Sequence, residues 1–254
     1  MRIFALNPSA LKQVFGFFGQ SGHIVSLVGG GGKTTLMFFM AKTCAKEGKK
    51  VLVTTTTHIF RPAEEYYATT AEEVRALWAA GKFAIIGIPV PEKGKLKMPD
   101  RQLLDQMLEE ADVAFIESDG SKRCPIKVPR DGEPVFMPQS DLVIAVMGLS
   151  ALGKPLHDCC FGLSQATELL NVAADHILTE EDAAKILASE KGGRKDIGDR
   201  KYCVVLNQCD DGPRRRSANE IAAWLHEFGV DQVVMTAFDP AERAQYDKMS
   251  KYQK

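Results

Sequence analysis

The sequence predicts an α/β fold in which helices cover both faces of a doubly wound, mostly parallel sheet. Segments of strand length alternate with segments of helix length along the 254 residues. Several strand segments are continuous apolar runs, as expected for parallel strands that are buried on both faces. A glycine-rich stretch separates the first of these strands from a long helix. In doubly wound folds, ligands bind at such strand ends.

Apolar runs bounded by polar or turn-forming residues define the predicted strands. They are Ile24–Val28, Val51–Thr55, Phe83–Gly87, Val113–Glu117, Leu142–Met147, Tyr202–Asn207 and Gln232–Met235. Helical spacing of apolar residues predicts helices at 34–47, 71–80, 100–110, 163–171, 180–189 and 217–228. We expect residues 1–22 to form a short helical or irregular lead-in with an apolar stripe at Leu11, Val14, Phe15 and Phe18.

Three segments interrupt this alternation. Residues 89–99 are polar and lysine-rich, which indicates a hairpin or loop at the sheet edge. Residues 118–138 contain four prolines and many charges without periodicity, so we expect an irregular insertion of the functional or mobile kind. Residues 191–200 are expected to form a flexible connection. Because the length suits one large domain, we expect a single domain over residues 1–254.

Composition argues against several classes of protein. The formal net charge of −1 shows no bias toward nucleic acid, and the short run Arg214–Arg216 fits the solvated start of a helix. Six cysteines without a C-x-x-C pair indicate reduced thiols rather than a disulfide framework. The chain shows no signal-peptide layout and no run of 18 apolar residues. We therefore expect a cytoplasmic protein without a membrane span.

The glycine-rich stretch resembles a phosphate-binding loop. Its backbone N–H groups can turn toward an anion, and the following helix adds free donors and a positive dipole end. Lys33 can reach the β- and γ-phosphates, while the Thr34 hydroxyl suits Mg²⁺. The usual glycine six residues before the lysine is replaced by Leu27, which leaves a shorter G-x-x-G-K-T loop. The predicted nucleotide-binding residues here are Gly29, Gly30, Gly31, Gly32, Lys33, Thr34 and Thr35.

A second motif, Glu117-Ser118-Asp119-Gly120, ends a predicted strand. In P-loop proteins an acidic residue at this place holds Mg²⁺, directly or through water. We therefore expect Thr34 and Glu117 to bind Mg²⁺ and the N–H of Gly120 to face a γ-phosphate. Asp119 either orients an attacking water or caps the loop. The predicted catalytic residues are Lys33, Glu117 and Asp119.

A third motif, Asn207-Gln208-Cys209-Asp210, follows a late strand and resembles the Asn-Lys-x-Asp of GTP-binding proteins. In that pattern the asparagine ties the loop, and the aspartate accepts hydrogen bonds from guanine. Because Gln208 replaces the lysine, both GTP and ATP stay open as ligands, and the stretch can also be an Asx turn.

Two further groups have open roles. Threonines 54–57 and His58 end the second strand, where Thr57 and His58 are either switch residues or a hydrogen-bonded strand end. Cys124, and the cluster from His157 to Cys160, carry metal-ligand types, so Cys124 is a candidate ligand for a transition metal. A structural role for these cysteines is the alternative.

Taken together, the motifs resemble the YqeC-type family of selenium-dependent hydroxylase accessory proteins. The resemblance rests on Ser26–Thr35, Ile116–Lys127, Glu133-Pro134-Val135 and Val146–His157. It implies a maturation factor whose client is a selenium-dependent molybdenum hydroxylase or its cofactor machinery. A wider resemblance links the chain to GTPases that load metals into hydrogenase, urease and cobalamin enzymes. They share the Glu-x-x-Gly motif, the Cys124-Pro125 pair and a guanine-backing loop similar to Met235-Thr236-Ala237.

These resemblances lead to three hypotheses. The first is a Mg²⁺-dependent nucleotide-binding protein, a slow GTPase that gates cofactor assembly. The second is a P-loop kinase or ligase that prefers ATP and acts on a small anionic substrate, for which residues 122–127 are suitably basic. The third is a binding module that nucleotide orders for docking without useful turnover. Because many P-loop proteins dimerise through nucleotide, a homodimer is one expected assembly.

Overall fold

A computed structural model describes residues 2–3, 14–239, 241, 244, 246 and 249. Its strands, in chain order, are β1 (Arg2–Ile3), β2 (His23–Gly29), β3 (Val51–Thr55), β4 (His58–Phe60), β5 (Tyr67–Ala68), β6 (Ala84–Ile86), β7 (Ile88–Val90), β8 (Lys95–Lys97), β9 (Val113–Glu117), β10 (Ile126–Lys127), β11 (Leu142–Gly148), β12 (Cys160–Phe161), β13 (Lys201–Asn207) and β14 (Val233–Met235). Its α-helices are α1 (Lys33–Lys46), α2 (Ala71–Ala79), α3 (Arg101–Glu110), α4 (Leu156–Cys159), α5 (Leu163–Leu170), α6 (Glu180–Ala188) and α7 (Gly212–Glu227).

Nine strands form the central sheet in the order β1-β14-β13-β11-β2-β9-β3-β6-β5. Every pairing between these neighbours is parallel. The crossover from β2 through α1 to β3 skips β9, which lies between the two strands. The end of β2 therefore lies beside the end of β9, where parallel sheets bind ligands.

The sheet is buried on both faces. Neighbouring residues of a strand point to opposite sides, and both sets pack in apolar clusters. Val51 and Val53 pack in the cluster that contains most of α1, whereas Leu52 packs against α2 and α3 on the other face. In β11, Ile144 belongs to the α1 side and Val143 to the side of α6 and α7. The predicted doubly wound α/β class is thus confirmed. None of the described helices combines the length and apolar character that a membrane crossing needs.

All seven predicted strands are present with ends within one residue of the prediction. Five of the predicted helices agree equally well, but α7 begins five residues before the predicted position 217. The side chain of Asp211 caps this helix by accepting from the N–H of Arg214 at 2.8 Å, and Pro213 lies in the first turn. The arginine-rich turn has no apolar spacing, so periodicity placed the start too late, but the run Arg214–Arg216 does lie at the start of the helix as expected.

The interrupting segments are more ordered than their composition indicates. Strands β7 and β8 form the predicted hairpin, but with β4 they build a separate three-stranded sheet. Residues 118–138 are irregular apart from β10, which pairs with β12, and residues 126–129 are buried. Residues 191–200 form turns, with the N–H of Gly193 donating to the carbonyl of Ile186 at 2.8 Å. Half of the predicted lead-in, including Leu11, lies outside the described residues.

Candidate functional site

The predicted motifs converge at the carboxyl ends of four neighbouring strands. Strands β2 and β9 pair with Leu27 opposite Glu117, while β11 and β13 pair with Gly148 opposite Asn207. The glycine loop that follows β2 therefore lies between the Glu117 motif on one side and the ends of β11 and β13 on the other. Motifs that are far apart in sequence meet here because the strands are parallel and adjacent.

The glycine loop packs backbone against backbone. Gly31 and Gly32 have positive φ values of 71° and 114°, a region that side chains disfavour. A Cβ on Gly31 would overlap the backbone of Gly148, and one on Gly30 would overlap the carbonyl oxygen of Cys124. Gly32 is the N-cap residue of α1, which begins at Lys33. The loop therefore depends on glycine for space as well as for conformation.

Three loop N–H groups are already used within the protein. That of Gly29 donates to Asp119 Oδ2 at 3.0 Å, that of Gly30 to the Val146 carbonyl at 2.8 Å, and that of Gly31 to the Cys124 carbonyl at 3.2 Å. This corrects the expectation that all four glycines turn their N–H groups toward an anion. The first helical bond runs from Leu36 to Gly32, so the donors left for an anion are the N–H groups of residues 32–35.

Lys33 lies under the loop with only 4% of its side chain exposed. Its ammonium donates to the Gly29 carbonyl at 2.6 Å and lies 3.0 Å from Asp119 Oδ1 and 4.0 Å from Glu117 Oε1. Burial lowers its pKa, but attraction to Asp119 and Glu117 outweighs burial and holds the pKa above the usual value. The lysine therefore supplies a permanent positive charge at the loop.

Thr34 and Glu117 form a close pair of oxygen ligands. The Thr34 hydroxyl donates to Glu117 Oε2 at 2.9 Å, and Glu117 is buried at the end of β9. Burial raises the pKa of Glu117, although the Lys33 charge and the Thr34 hydrogen bond oppose this shift. Hydroxyl and carboxylate oxygens are the donors that Mg²⁺ prefers, and Mg²⁺ needs few protein ligands because it keeps its waters. These residues fit the predicted metal site.

Asp119 lies behind the glycine loop rather than in the open site. Its carboxylate is fully buried, accepts the Gly29 N–H and lies 3.2 Å from the ammonium of Lys127. Lys127, also fully buried, donates to the Gly120 carbonyl at 2.7 Å and pairs with Glu133 at 2.8 Å. Of the two roles predicted for Asp119, this position suits anchoring the loop better than orienting a water.

Lys127 and Glu133 are central to this network. The sequence placed Lys127 in a basic segment suited to an anionic substrate and gave Glu133 no role of its own. Both belong to the motifs that carried the family resemblance, Ile116–Lys127 and Glu133-Pro134-Val135. A lysine inside an apolar pair such as Ile126 and Val128 is the signal that marks a buried, paired cation. The irregular segment is thus fastened to the glycine loop by buried charges.

Asn207 ties the loop as predicted for this motif. Its amide donates to the Gly31 carbonyl at 2.8 Å and accepts from the Thr236 hydroxyl at 2.9 Å. Gln208 has a positive φ of 68°, and its side chain accepts from the Ser150 N–H at 3.1 Å. Asp210 is exposed and pairs with Arg214 at 3.0 Å. A role for Asp210 in base recognition stays a prediction.

The threonines at the end of β3 are used in structure. The hydroxyls of Thr54 and Thr55 donate to the carbonyls of Ile86 and Glu117 at 3.0 and 2.8 Å. The side chain of His58 is mostly exposed. Partial desolvation of its imidazole and the positive charges of nearby lysines lower its pKa. A switch role for Thr57 and His58 stays a prediction.

The cysteines show no metal cluster. Burial raises the pKa of Cys159 to about 11 and that of Cys160 to about 12, so both are protonated apolar residues at neutral pH. Cys124 is half-buried. Within the described part of the chain, no three His, Cys, Asp or Glu side chains are placed to hold one metal ion. Among the described residues, Cys124 therefore has no neighbours that would complete a multidentate transition-metal site.

A cavity of about 1000 Å³ opens above the loop. Its floor contains residues 31–35, Glu117 and Gly120, and its other walls include Phe60, Cys124 and Gln208. Cations exceed carboxylates in the lining, with Lys33, Lys95, Lys122, Arg123 and Lys154 against Glu117 and Asp158. The cavity is therefore suited to a large anionic ligand. Gly29, Gly30, Asp119, Asn207 and Asp210 lie outside its lining.

The fold and the loop define a doubly wound α/β protein of the P-loop NTPase-like class. The sequence model of the YqeC protein family matches residues 25–164, which is more than half of the chain, and the protein belongs to this family. The matched segment includes the glycine loop, the Glu117 motif and Lys127, but it ends before Asn207 and Asp210.

A curated relative matches the chain over a similar length. The protein named "Uncharacterized protein YqeC" from Escherichia coli (strain K12) is 30% identical over 126 residues. The alignment covers 47% of this chain and 49% of that protein. The chain thus matches about half the length of this relative.

Proposed function

We propose that the protein binds a nucleoside triphosphate together with Mg²⁺ and slowly hydrolyses its terminal phosphate. One observation carries the proposal. The Lys33 ammonium, the Thr34–Glu117 oxygen pair and the free N–H groups of residues 32–35 meet at the floor of one cationic cavity. Each of these groups fits a different part of a triphosphate with its metal ion.

Each residue has a distinct role in this proposal. The N–H groups of residues 32–35 donate to phosphate oxygens, and Lys33 exchanges its contact with Asp119 for a phosphate. Asp119 stays compensated after this exchange because Lys127 and the Gly29 N–H still contact it. Thr34 and Glu117 would hold Mg²⁺, which supplies charge neutralisation at the transferred phosphoryl group when it is bound. Lys33 stabilises the same developing charge.

GTP is the nucleotide that we favour. The support is Asn207, which ties the Gly31 carbonyl to the loop around Thr236 in the manner predicted for a guanine-binding motif. For guanine recognition, Asp210 must exchange its surface pair with Arg214 for the base. An exposed pair of this kind costs little to break.

The family resemblance suggests the setting of this activity. We propose that nucleotide state gates the maturation of a selenium-dependent molybdenum hydroxylase, with that enzyme or its cofactor machinery as the partner. Residues 118–138 connect the nucleotide site to this partner in the proposal, because Asp119, Gly120 and Lys127 fasten the segment to the loop.

Calorimetric titration tests the nucleotide site. Non-hydrolysable GTP and ATP analogues are titrated with and without Mg²⁺ into the wild-type chain, K33A and the control K201A. Lys201 is an exposed lysine at the start of β13, so it lies at the amino ends of the strands, away from the site at their carboxyl ends. We expect at least hundredfold weaker binding for K33A and no change for K201A. Equal affinity of K33A and wild type would overturn the proposal.

Two further variants test the metal and the base. T34A should lose most of the Mg²⁺ dependence of analogue binding, because a ligand oxygen is removed. D210N should reduce any preference for the GTP analogue over the ATP analogue. An unchanged GTP preference in D210N would show that the motif is only a turn. A preference of the wild type for ATP would favour the kinase or ligase hypothesis, which the cations on the far wall of the cavity also suit.

A further inference from the structure

The cavity has a second group of cations away from the glycine loop. Lys122, Arg123 and Lys154 are exposed and Lys95 is half-buried, and all four line the cavity. No carboxylate of the described part of the chain forms an ion pair with any of them. By contrast, Lys127 of the same basic segment forms ion pairs with Asp119 and Glu133. The four cavity cations can therefore contact an anionic ligand, whereas Lys127 neutralises buried carboxylates of the protein.

Three of these four cations contact aromatic rings. The Arg123 guanidinium lies 5.7 Å and the Lys95 ammonium 5.1 Å from the centre of the Phe60 ring. The Lys122 ammonium lies 5.7 Å from the Phe161 ring. Cation–π contacts attract a cation without neutralising its charge, so the charges stay available for an anion.

The backbone at Lys122 and Arg123 is unusual. Their φ values are 47° and 69°, so two consecutive side-chain-bearing residues adopt the left-handed region. Such residues persist where the surroundings fix them, and they concentrate at ligand sites. Here the next residue is fixed on both sides, because the Cys124 N–H donates to Ser121 and its carbonyl accepts from Gly31. The pair of cations is therefore placed by the same ties that shape the glycine loop.

The nucleotide as proposed leaves these cations unused. Lys33, the first-turn N–H groups and the Thr34–Glu117 pair supply what a triphosphate with Mg²⁺ needs at the floor. A volume of about 1000 Å³ lies at the upper end of the range for single small ligands. The cavity therefore extends past the floor residues to the second group of cations, which also line it.

We propose that Lys95, Lys122 and Arg123 form a second anion site, which holds a phosphate- or carboxylate-bearing small molecule beside the nucleotide. This inference rests on the proposed function for the identity of the neighbouring ligand. It favours an anion of low molecular weight as the second ligand, because these cations line the wall of the cavity that holds the nucleotide. Lys154, on the adjoining wall, extends the positive field.

Pyrophosphate serves as the probe for this site. It is titrated by calorimetry into the wild-type chain saturated with the non-hydrolysable GTP analogue and Mg²⁺, and into K33A without nucleotide. The same titrations are made with K122Q/R123Q in each background. K122G/R123G is a second variant, because glycine suits the left-handed backbone. The matched control is K50A/K201A, which removes two exposed lysines at the opposite strand ends.

We expect saturable pyrophosphate binding in the wild type with analogue bound and in K33A. The affinity should fall at least tenfold in K122Q/R123Q and in K122G/R123G, and it should stay unchanged in the control. Analogue affinity should change less than threefold in these variants. Absence of pyrophosphate binding in K33A, or at least tenfold weaker analogue binding in both cavity variants, would overturn the second site. Failure of the analogue to bind wild type would instead reject the proposed function, while the K33A arm still tests the anion site.

Discussion

Replacement of Lys127 by methionine tests the buried charge network most directly. The ammonium contacts the Gly120 carbonyl at 2.7 Å, Glu133 at 2.8 Å and Asp119 at 3.2 Å, and its side chain is fully buried. Methionine fills a similar volume but leaves these partners without the cation. Removing one member of a buried ion pair costs about 3–5 kcal/mol of unfolding free energy.

The structure places K127M at the lower end of this range. Asp119 keeps the Lys33 ammonium at 3.0 Å and the Gly29 N–H, so it is not left alone. Glu133 is 25% exposed and can turn toward water. We therefore expect a loss of about 3 kcal/mol. The second variant, K127M/E133Q, removes a carboxylate that K127M leaves unpaired and should recover about 1 kcal/mol.

Urea unfolding, followed by circular dichroism, measures these differences. The control K201M changes an exposed lysine and should stay within about 0.5 kcal/mol of the wild type. A loss below about 1 kcal/mol in K127M would refute the reasoning, since it would mean that the cation contributes no more than a surface charge. Absence of recovery in K127M/E133Q would show that Glu133 does not depend on Lys127.

Three further predictions concern the loop and a helix cap. G31A should unfold at least about 1 kcal/mol more easily than G132A, because both positions have positive φ but only the Cβ on Gly31 meets other backbone. N207A should cost about 1–3 kcal/mol and weaken analogue binding, since it leaves the buried Thr236 hydroxyl and the half-buried Gly31 carbonyl without this partner. D182A should cost about 1 kcal/mol at pH 7 through loss of the capping box with Thr179. Burial raises the pKa of Asp182, but hydrogen bonds from Thr179 and His176 outweigh burial and hold this pKa below its usual value. The stabilisation by Asp182 should therefore persist above pH of about 4 and disappear as the pH falls through the lowered pKa.

Thermal unfolding, analogue titration and urea unfolding at pH 7 and pH 3 measure these effects in turn. Equal stability of G31A and G132A would show that the loop can move away from Gly148. Unchanged analogue affinity in N207A would separate this residue from the site. A stability difference between D182A and wild type that is the same at both pH values would contradict an ionised cap.

The sequence was most informative where the pattern is local. Continuous apolar runs gave strands such as Val113–Glu117 to the residue, because a buried parallel strand has little other composition available. The order of strand, glycines and helix identified the loop before Lys33, because a phosphate-binding loop lies between a strand and a helix. It was less informative for short strands such as Ile126–Lys127, whose pairing partner lies more than thirty residues away. Two-residue strands carry no periodicity of their own.

The same difference between local patterns and long-range contacts applies to the residues of the site. Sequence named Lys33, Thr34 and Glu117, because one motif places the first two at the start of the helix after β2 and another places Glu117 at the end of β9. The structure brings these three residues together. It did not show that the N–H groups of Gly29, Gly30 and Gly31 are bound within the protein. That outcome depends on the Asp119 carboxylate and on the carbonyls of Val146 and Cys124, which reach the loop only in the folded chain.

By itself, the sequence determined the α/β class, the positions of the main strands and the presence of a glycine loop followed by Lys33. These follow from apolar runs and from the conformations that only glycine adopts easily. Tertiary structure alone decided that, of two lysines in one basic segment, Lys127 is buried in ion pairs and Lys122 can contact an anion in the cavity. Lys127 is buried against Asp119, whereas Lys122 lies exposed at a cavity wall. The difference arises because burial and pairing depend on segments that meet only when the sheet has formed.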